Sequence, residues 1–157
     1  MAEEVQMYGD TGVIRRLAQQ MSEQGSEVRR DADQLVAASE TVVWEGRAAQ
    51  AMRERMAERA VALRRTADEH DDAAQALRRH ADEVDRLKDL IREIAHRVRG
   101  LIEGARSRLA SLADAAIDLV KKVVPDPVDE MLSSFRPPPE GHKDWLDVPD
   151  QLPGGGR

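Results

Sequence analysis

The side chains in this sequence that are best suited to chemistry are histidines and carboxylates spaced for one helix face. Glu93 and His96 are three residues apart, which is half of the ligand set that holds two metal ions inside a four-helix bundle. A complete centre needs a second such pair, but the positions three residues before His70 and His80 hold alanine and leucine. We therefore predict no metal centre, and expect His70 and His80 to serve packing register or a response to pH.

A dense acidic run at residues 68–72 is the other candidate site for a divalent cation. A helix distributes its side chains around the full circle, so these carboxylates do not converge as those of a calcium loop do. The sequence also lacks cysteine, a nucleophile elbow, a phosphate-binding glycine loop and a zinc-binding helix motif. We expect a non-enzymatic protein, with no catalytic, cofactor-binding or metal-binding residues.

The amino-acid composition predicts the type of secondary structure in which any binding function must reside. Aromatic residues are 3% of the 157 residues, too few for an all-β sandwich or barrel, and Ala, Leu, Arg and Glu dominate. The predicted fold class is therefore all-α. The net charge is -6, without the basic surplus of a nucleic-acid binder, so nucleic acid is not an expected partner. The N-terminal residues do not resemble a Sec signal, and no window is apolar enough to cross a membrane.

Apolar periodicity predicts two long helices joined by a short connection. The first, from about residue 12 to about 39, carries apolar side chains in steps of three, four and seven. Three β-branched residues and Gly46 break the pattern at 40–46. The helical pattern then resumes and continues from Leu63 to Val98 in steps of three and four.

The C-terminal third of the sequence departs from this pattern twice. Gly100 and Gly104 bracket a shift of the apolar register, which predicts a hinge and a third helix within a helical domain at 10–124. A bent continuous helix is the alternative. Residues 125–157 contain all seven prolines and many acidic residues, so we predict an extended or disordered acidic tail. Trp145 within it is either a binding element or a solvated residue.

Trp44 and Gly46, followed by small residues at 48, 49 and 51, lie between the two amphipathic helices. Over roughly residues 10–90 this arrangement resembles the WXG100 (ESAT-6-like) superfamily. The resemblance implies an antiparallel helical hairpin with a Trp-x-Gly turn that pairs as a homodimer or heterodimer into a four-helix bundle. It also implies export through the type VII (ESX) secretion system of actinobacteria and related bacteria, folded and without a Sec signal.

The expected localisation is therefore secreted or cell-envelope associated, and cytoplasmic before export. The expected partners are another WXG100-like protein, the secretion machinery or a cognate effector. The family's Tyr-x-x-x-Asp/Glu export signal is missing, because Tyr8, the single tyrosine, is followed four residues later by Gly12. A partner would then supply that signal. The alternative is a cytoplasmic coiled-coil adaptor or chaperone with no secretion role.

The large apolar residues of the two helices are the candidate partner interface. We expect Trp44 to fill the gap where the helices turn or to contact a partner, and Gly46 to be structural. A membrane is not an expected partner, although the amphipathic segment 101–124 leaves surface attachment as a third alternative. The predicted interface comprises Ile14, Leu17, Met21, Val28 and Leu63.

Overall fold

The computed structural model describes residues 10–119 and 124–153, without the side chains of 116–119. Its three longer helices are α1 (Thr11–Thr41), α2 (Arg47–Leu119) and α3 (Pro127–Ser134). A 3₁₀ turn (Lys143–Asp147) and the short α4 (Val148–Gln151) follow. Within these two ranges the chain forms helices and no strand, so the predicted all-α class is confirmed.

Local chemistry sets the boundaries of α1 and α2. The Asp10 carboxylate caps α1 by accepting a hydrogen bond from the Gly12 N–H at 2.8 Å. After Thr41 the backbone becomes extended at Val42, a β-branched residue. Gly46 precedes α2 with φ of 104°, a conformation that favours glycine, and its carbonyl accepts the first helical hydrogen bond, from Gln50 at 3.1 Å.

The chain divides between Val84 and Asp85 into two compact units, and α2 contributes to both. In the N-terminal unit the buried residues of both helices are small, and apart from Ala49 they recur every seven residues on each helix. We call this set the small-residue seam: Ala18, Gly25, Ala32 and Ser39 of α1, with Ala60, Ala67, Ala74 and Ala81 of α2.

Ion pairs show how α1 and α2 run past each other in this unit. Arg15 of α1 contacts Asp82 of α2 at 2.8 Å, and Asp33, farther along α1, contacts Arg64, nearer the start of α2, at 2.7 Å. The two helices are therefore antiparallel. They also approach closely at Gly25, where an added Cβ would lie only 3.1 Å from the Ala67 carbonyl oxygen.

The C-terminal unit has a core of larger side chains. Trp145 is fully buried, and its indole Nε1 donates a hydrogen bond to the Pro139 carbonyl oxygen at 2.9 Å. The guanidinium carbon of Arg99 lies 5.7 Å from the centre of the indole ring. The core cluster comprises Ile91, Ala95, Val98 and Ile102 of α2 together with Trp145 and Val148.

Two expectations about the C-terminal third were wrong. Over the described residues 101–119 the predicted hinge and separate third helix are absent, because α2 continues through Gly100 and Gly104 to Leu119. Residues 120–123 of the predicted helix lie outside the described residues. A glycine costs a helix only about 1 kcal/mol, which the burial of Val98 and Ile102 on either side of Gly100 offsets. The predicted disordered tail is also incorrect for residues 127–151, where α3, the 3₁₀ turn and α4 form and Trp145 packs against α2 as an apolar anchor.

Candidate partner-binding surface

The small-residue seam has two chemically different sides. On each helix, the residues four before and three after a seam residue lie on one side of the seam. The residues three before and four after a seam residue lie on the opposite side. On the first side the residues are half-buried and, apart from His70, apolar. We call them the apolar edge: Ile14, Met21, Val28 and Leu35 of α1, with Met56, Leu63, Leu77 and Val84 of α2.

The opposite side carries the ion pairs between the two helices. Arg29 contacts Asp68 and Asp71, each at 2.6 Å, in addition to the Arg15 and Arg64 pairs described above. The hydrogen bonds that the Arg29 guanidinium donates to Asp68, first, and to Asp71 raise the pKa of the guanidinium above its ordinary value. The charged side chains on this side therefore pair with each other across the two helices. The exposed apolar surface lies on the other side, along the apolar edge.

The structure places all five predicted interface residues on the apolar side of the seam. Ile14, Met21, Val28 and Leu63 belong to the apolar edge and are half-buried. Leu17 lies beside them, farther from the seam, and is 46% exposed. These side chains thus retain surface for a partner after the two helices have packed together.

His70 is the polar member of the row formed by Met56, Leu63 and Leu77. It is half-buried, and its Nδ1 lies 2.8 Å from the carbonyl oxygen of Thr66, one turn earlier. The ring nitrogen facing that oxygen is the donor, so the protonated nitrogen in the neutral ring is Nδ1. His80, which shared the same predicted role, is exposed.

The connection that contains Trp44 is held by a side chain of α2. Arg53 donates from Nη2 to the carbonyl oxygens of Val42 at 3.1 Å and Trp44 at 3.0 Å. The Trp44 N–H donates to the Val42 carbonyl at 2.8 Å, closing a tight turn. Trp44 itself is 49% exposed, so the indole has surface available for a partner.

An open pocket of about 420 Å³ lies beside the Trp44 indole, along the first turns of α2. Met52 and Met56 are half-buried in its lining, and Arg55 and Arg59 are exposed there. Ala48 and Ala51 complete it, since their small side chains leave room beside the ring. The pocket therefore combines apolar walls with two positive charges.

Reasoning from the sequence missed the small-residue seam. Large apolar residues are the predicted contact face, whereas the structure buries the alanine repeat between them. The available signal was the seven-residue spacing from Ala18 through Gly25 and Ala32 to Ser39, repeated from Ala60 to Ala81. Small residues at this spacing let two backbones approach, which moves the larger side chains outward to the edges.

In the C-terminal unit, the corresponding apolar surface of α2 is already covered. Asp129 of α3 is 6% exposed and accepts a forked pair of hydrogen bonds from Arg108, including Nε to Oδ2 at 2.9 Å. This hydrogen bonding holds the pKa of the Asp129 carboxyl below its ordinary value. Together with Trp145, this contact attaches residues 127–151 to α2, so the exposed apolar edge belongs to the N-terminal unit.

No protein-family model matches the sequence, and neither curated proteins nor solved structures gave a significant match. Among the residues that the structure describes, no helix is long and apolar enough to span a membrane. Over the same residues, no group of three or more potential ligand side chains is arranged to hold a metal ion.

Proposed function

We propose that this protein is a non-enzymatic, WXG100-like pairing protein of a type VII secretion pathway. Its N-terminal unit would bind a second helical hairpin through the apolar edge, either from another copy or from a different WXG100-like protein. The observation that carries the proposal is the contrast between the two sides of the seam: ion pairs on one, and half-buried Met21, Val28 and Leu63 on the other.

The reason for pairing is the limited burial within the helix pair itself. The residues buried between α1 and α2 are alanines, Gly25 and Ser39, which contribute little apolar area. The larger residues keep part of their surface in water. A second pair of helices laid on the apolar edge would remove that surface and form a four-helix arrangement.

The secretion component of the proposal depends on the sequence around Trp44. Trp44 and Gly46 lie between α1 and α2, and these two residues carry the resemblance to the WXG100 superfamily. In a type VII pathway the partner would carry the Tyr-x-x-x-Asp/Glu signal. The folded pair would then be exported from the cytoplasm to the cell envelope or the medium. An effector or the secretion machinery would then be the next partner.

Association is tested first with one substitution on the apolar edge. Met21→Asp should weaken pairing by about 100-fold or more, because an unpaired charge buried in an interface costs several kcal/mol. Gln20→Asp is the matched control, since Gln20 is the exposed neighbour on the same helix. Val98→Asp should damage the C-terminal core and leave pairing largely intact.

The measurement is sedimentation equilibrium for self-association, together with pull-down from the native host for a different partner. Equal association of the Met21→Asp and Gln20→Asp variants would refute pairing through the apolar edge. A stable monomer at high micromolar concentration, with no partner recovered, would refute pairing altogether.

Export is tested separately, by proteomics of the culture filtrate with and without an active ESX ATPase. The proposal expects the protein in the filtrate or envelope only when the ATPase is active. The second candidate, a cytoplasmic adaptor or chaperone, is favoured by the missing tyrosine signal. It expects pairing through the same edge and retention in the cytoplasm in both strains.

A further inference from the structure

The connection between α1 and α2 presents three consecutive apolar side chains to solvent. Val42 is 40% exposed, Trp44 is 49% exposed, and Val43 between them is fully exposed at 101%. We call these three residues the tip patch. A fully exposed valine beside a half-exposed tryptophan has no role in the packing of α1 against α2, so the tip patch calls for a separate explanation.

The pocket lined by Trp44, Met52 and Met56 lies next to this patch. Its volume of about 420 Å³ is in the range of protein pockets that take several apolar groups. A projecting side chain and a pocket that can receive one therefore occupy the same end of the N-terminal unit.

The charges around the tip are arranged in the same complementary way. Glu40 and Glu45 flank the tip patch, while Arg55 and Arg59 line the pocket. In the described part of the chain none of these four side chains takes part in an ion pair. The tip patch is therefore flanked by negative charges, and the pocket is lined by positive charges.

We propose that the tip is a self-association site, where Val43 of each of two copies enters the Trp44–Met52–Met56 pocket of the other. A twofold contact brings the same surface of both copies together, so it requires a projection and a matching pocket on one surface. Glu45 of each copy then faces Arg55 of the other. This contact shares only Met56 with the apolar edge and does not depend on the proposed function.

The balance of charge argues against a membrane as the occupant. Residues 40–59 contain four acidic and four basic side chains, which gives no net attraction to anionic lipid. An unrelated protein would have to reproduce both the apolar side chain and the neighbouring carboxylate. A second copy supplies both from the sequence already present.

The chain has no cysteine, so disulfide trapping between full-length copies tests the contact directly. Val43→Cys and Met52→Cys proteins are mixed and oxidised, and the 43–52 disulfide between copies is quantified. The matched control is Val43→Cys mixed with Val61→Cys, because Val61 is 56% exposed elsewhere on α2. We expect the 43–52 product to exceed the 43–61 product at least fivefold, since a disulfide needs Cβ atoms about 4 Å apart.

A charge exchange adds a second readout. Glu45→Arg in the Val43→Cys protein should lower the 43–52 yield, and Arg55→Glu in the Met52→Cys protein should restore it. Circular dichroism checks that every variant remains helical. Yields of 43–52 equal to 43–61, or a charge exchange without rescue, would overturn the tip contact.

Repeating the trapping with Met21→Asp in both proteins separates the two interfaces. The 43–52 product should persist, because Met21 lies on the apolar edge and not in the pocket. If it disappears, the tip does not associate by itself and this inference fails. If it persists while Met21→Asp leaves other association unchanged, the proposed edge pairing fails and the tip contact remains.

Discussion

Replacing Trp145 by alanine should destabilise the C-terminal unit by about 3–5 kcal/mol. A fully buried tryptophan removes roughly 200 Å² from water, worth about 5 kcal/mol at 25 cal/mol/Å². Alanine retains a small part of that burial, and measured substitutions of buried Trp fall in the range of about 3–5 kcal/mol. The variant also loses the hydrogen bond from Nε1 to the Pro139 carbonyl and the contact with the Arg99 guanidinium.

The assay is urea unfolding followed by circular dichroism, with limited proteolysis to report the attachment of residues 127–151. Trp145→Phe is the matched control, because it keeps an aromatic ring and should lose only about 1–2 kcal/mol with the hydrogen bond. In a Trp44→Phe background, Trp145 is the sole tryptophan, and its emission should be blue-shifted as for a buried indole. Wild-type stability for Trp145→Ala, or solvent-like emission from Trp145, would refute the packing of this segment on α2.

Three further predictions concern backbone approach and pH. Gly100→Ala should stabilise α2 by up to about 1 kcal/mol, because its Cβ meets nothing within 4 Å and alanine is the better helix former. Gly25→Ala should show no such gain, because its Cβ would lie 3.1 Å from the Ala67 carbonyl oxygen and 3.2 Å from the His70 Cβ. Equal stabilisation of the two variants in thermal unfolding would contradict the close approach of α1 and α2 at Gly25. The pKa of Asp129 is lower in the folded state than in the unfolded state. The ionised carboxylate therefore stabilises the fold above the unfolded-state pKa of about 3.9, and this stabilisation is lost as the pH falls through that pKa and below it. Asp129→Asn should therefore flatten the acid limb of the stability–pH profile, and an unchanged slope would show that the Arg108 pair does not contribute.

The break between α1 and α2 illustrates what local sequence decides. β-Branched residues at 41–43 disfavour continued helix, and Gly46 takes a backbone conformation that other residues adopt only with strain. The observed helices separate in that stretch, between Thr41 and Arg47. Such signals act within a few residues and need no knowledge of the rest of the chain.

Gly100 shows the limit of the same argument. A glycine pair and a shift of register predicted a hinge, yet α2 passes through both glycines. The cost of one helical glycine is small compared with the burial of Val98 and Ile102 on either side of it, both at most 5% exposed. Tertiary packing therefore decides the outcome at this position, and that packing includes a segment more than forty residues away in sequence.

By itself the sequence determined the all-α class, because a chain rich in Ala, Leu, Arg and Glu and poor in aromatics can bury apolar area only through helical faces. It also contained the large apolar residues of the predicted interface. Only the tertiary structure decided that alanines and Gly25 form the contact between α1 and α2, which leaves Met21 and Val28 half-buried at its side. Only the tertiary structure decided that Trp145 is buried. The physical reason is that periodicity identifies which residues share a face, whereas the partner of that face depends on how closely two backbones can approach.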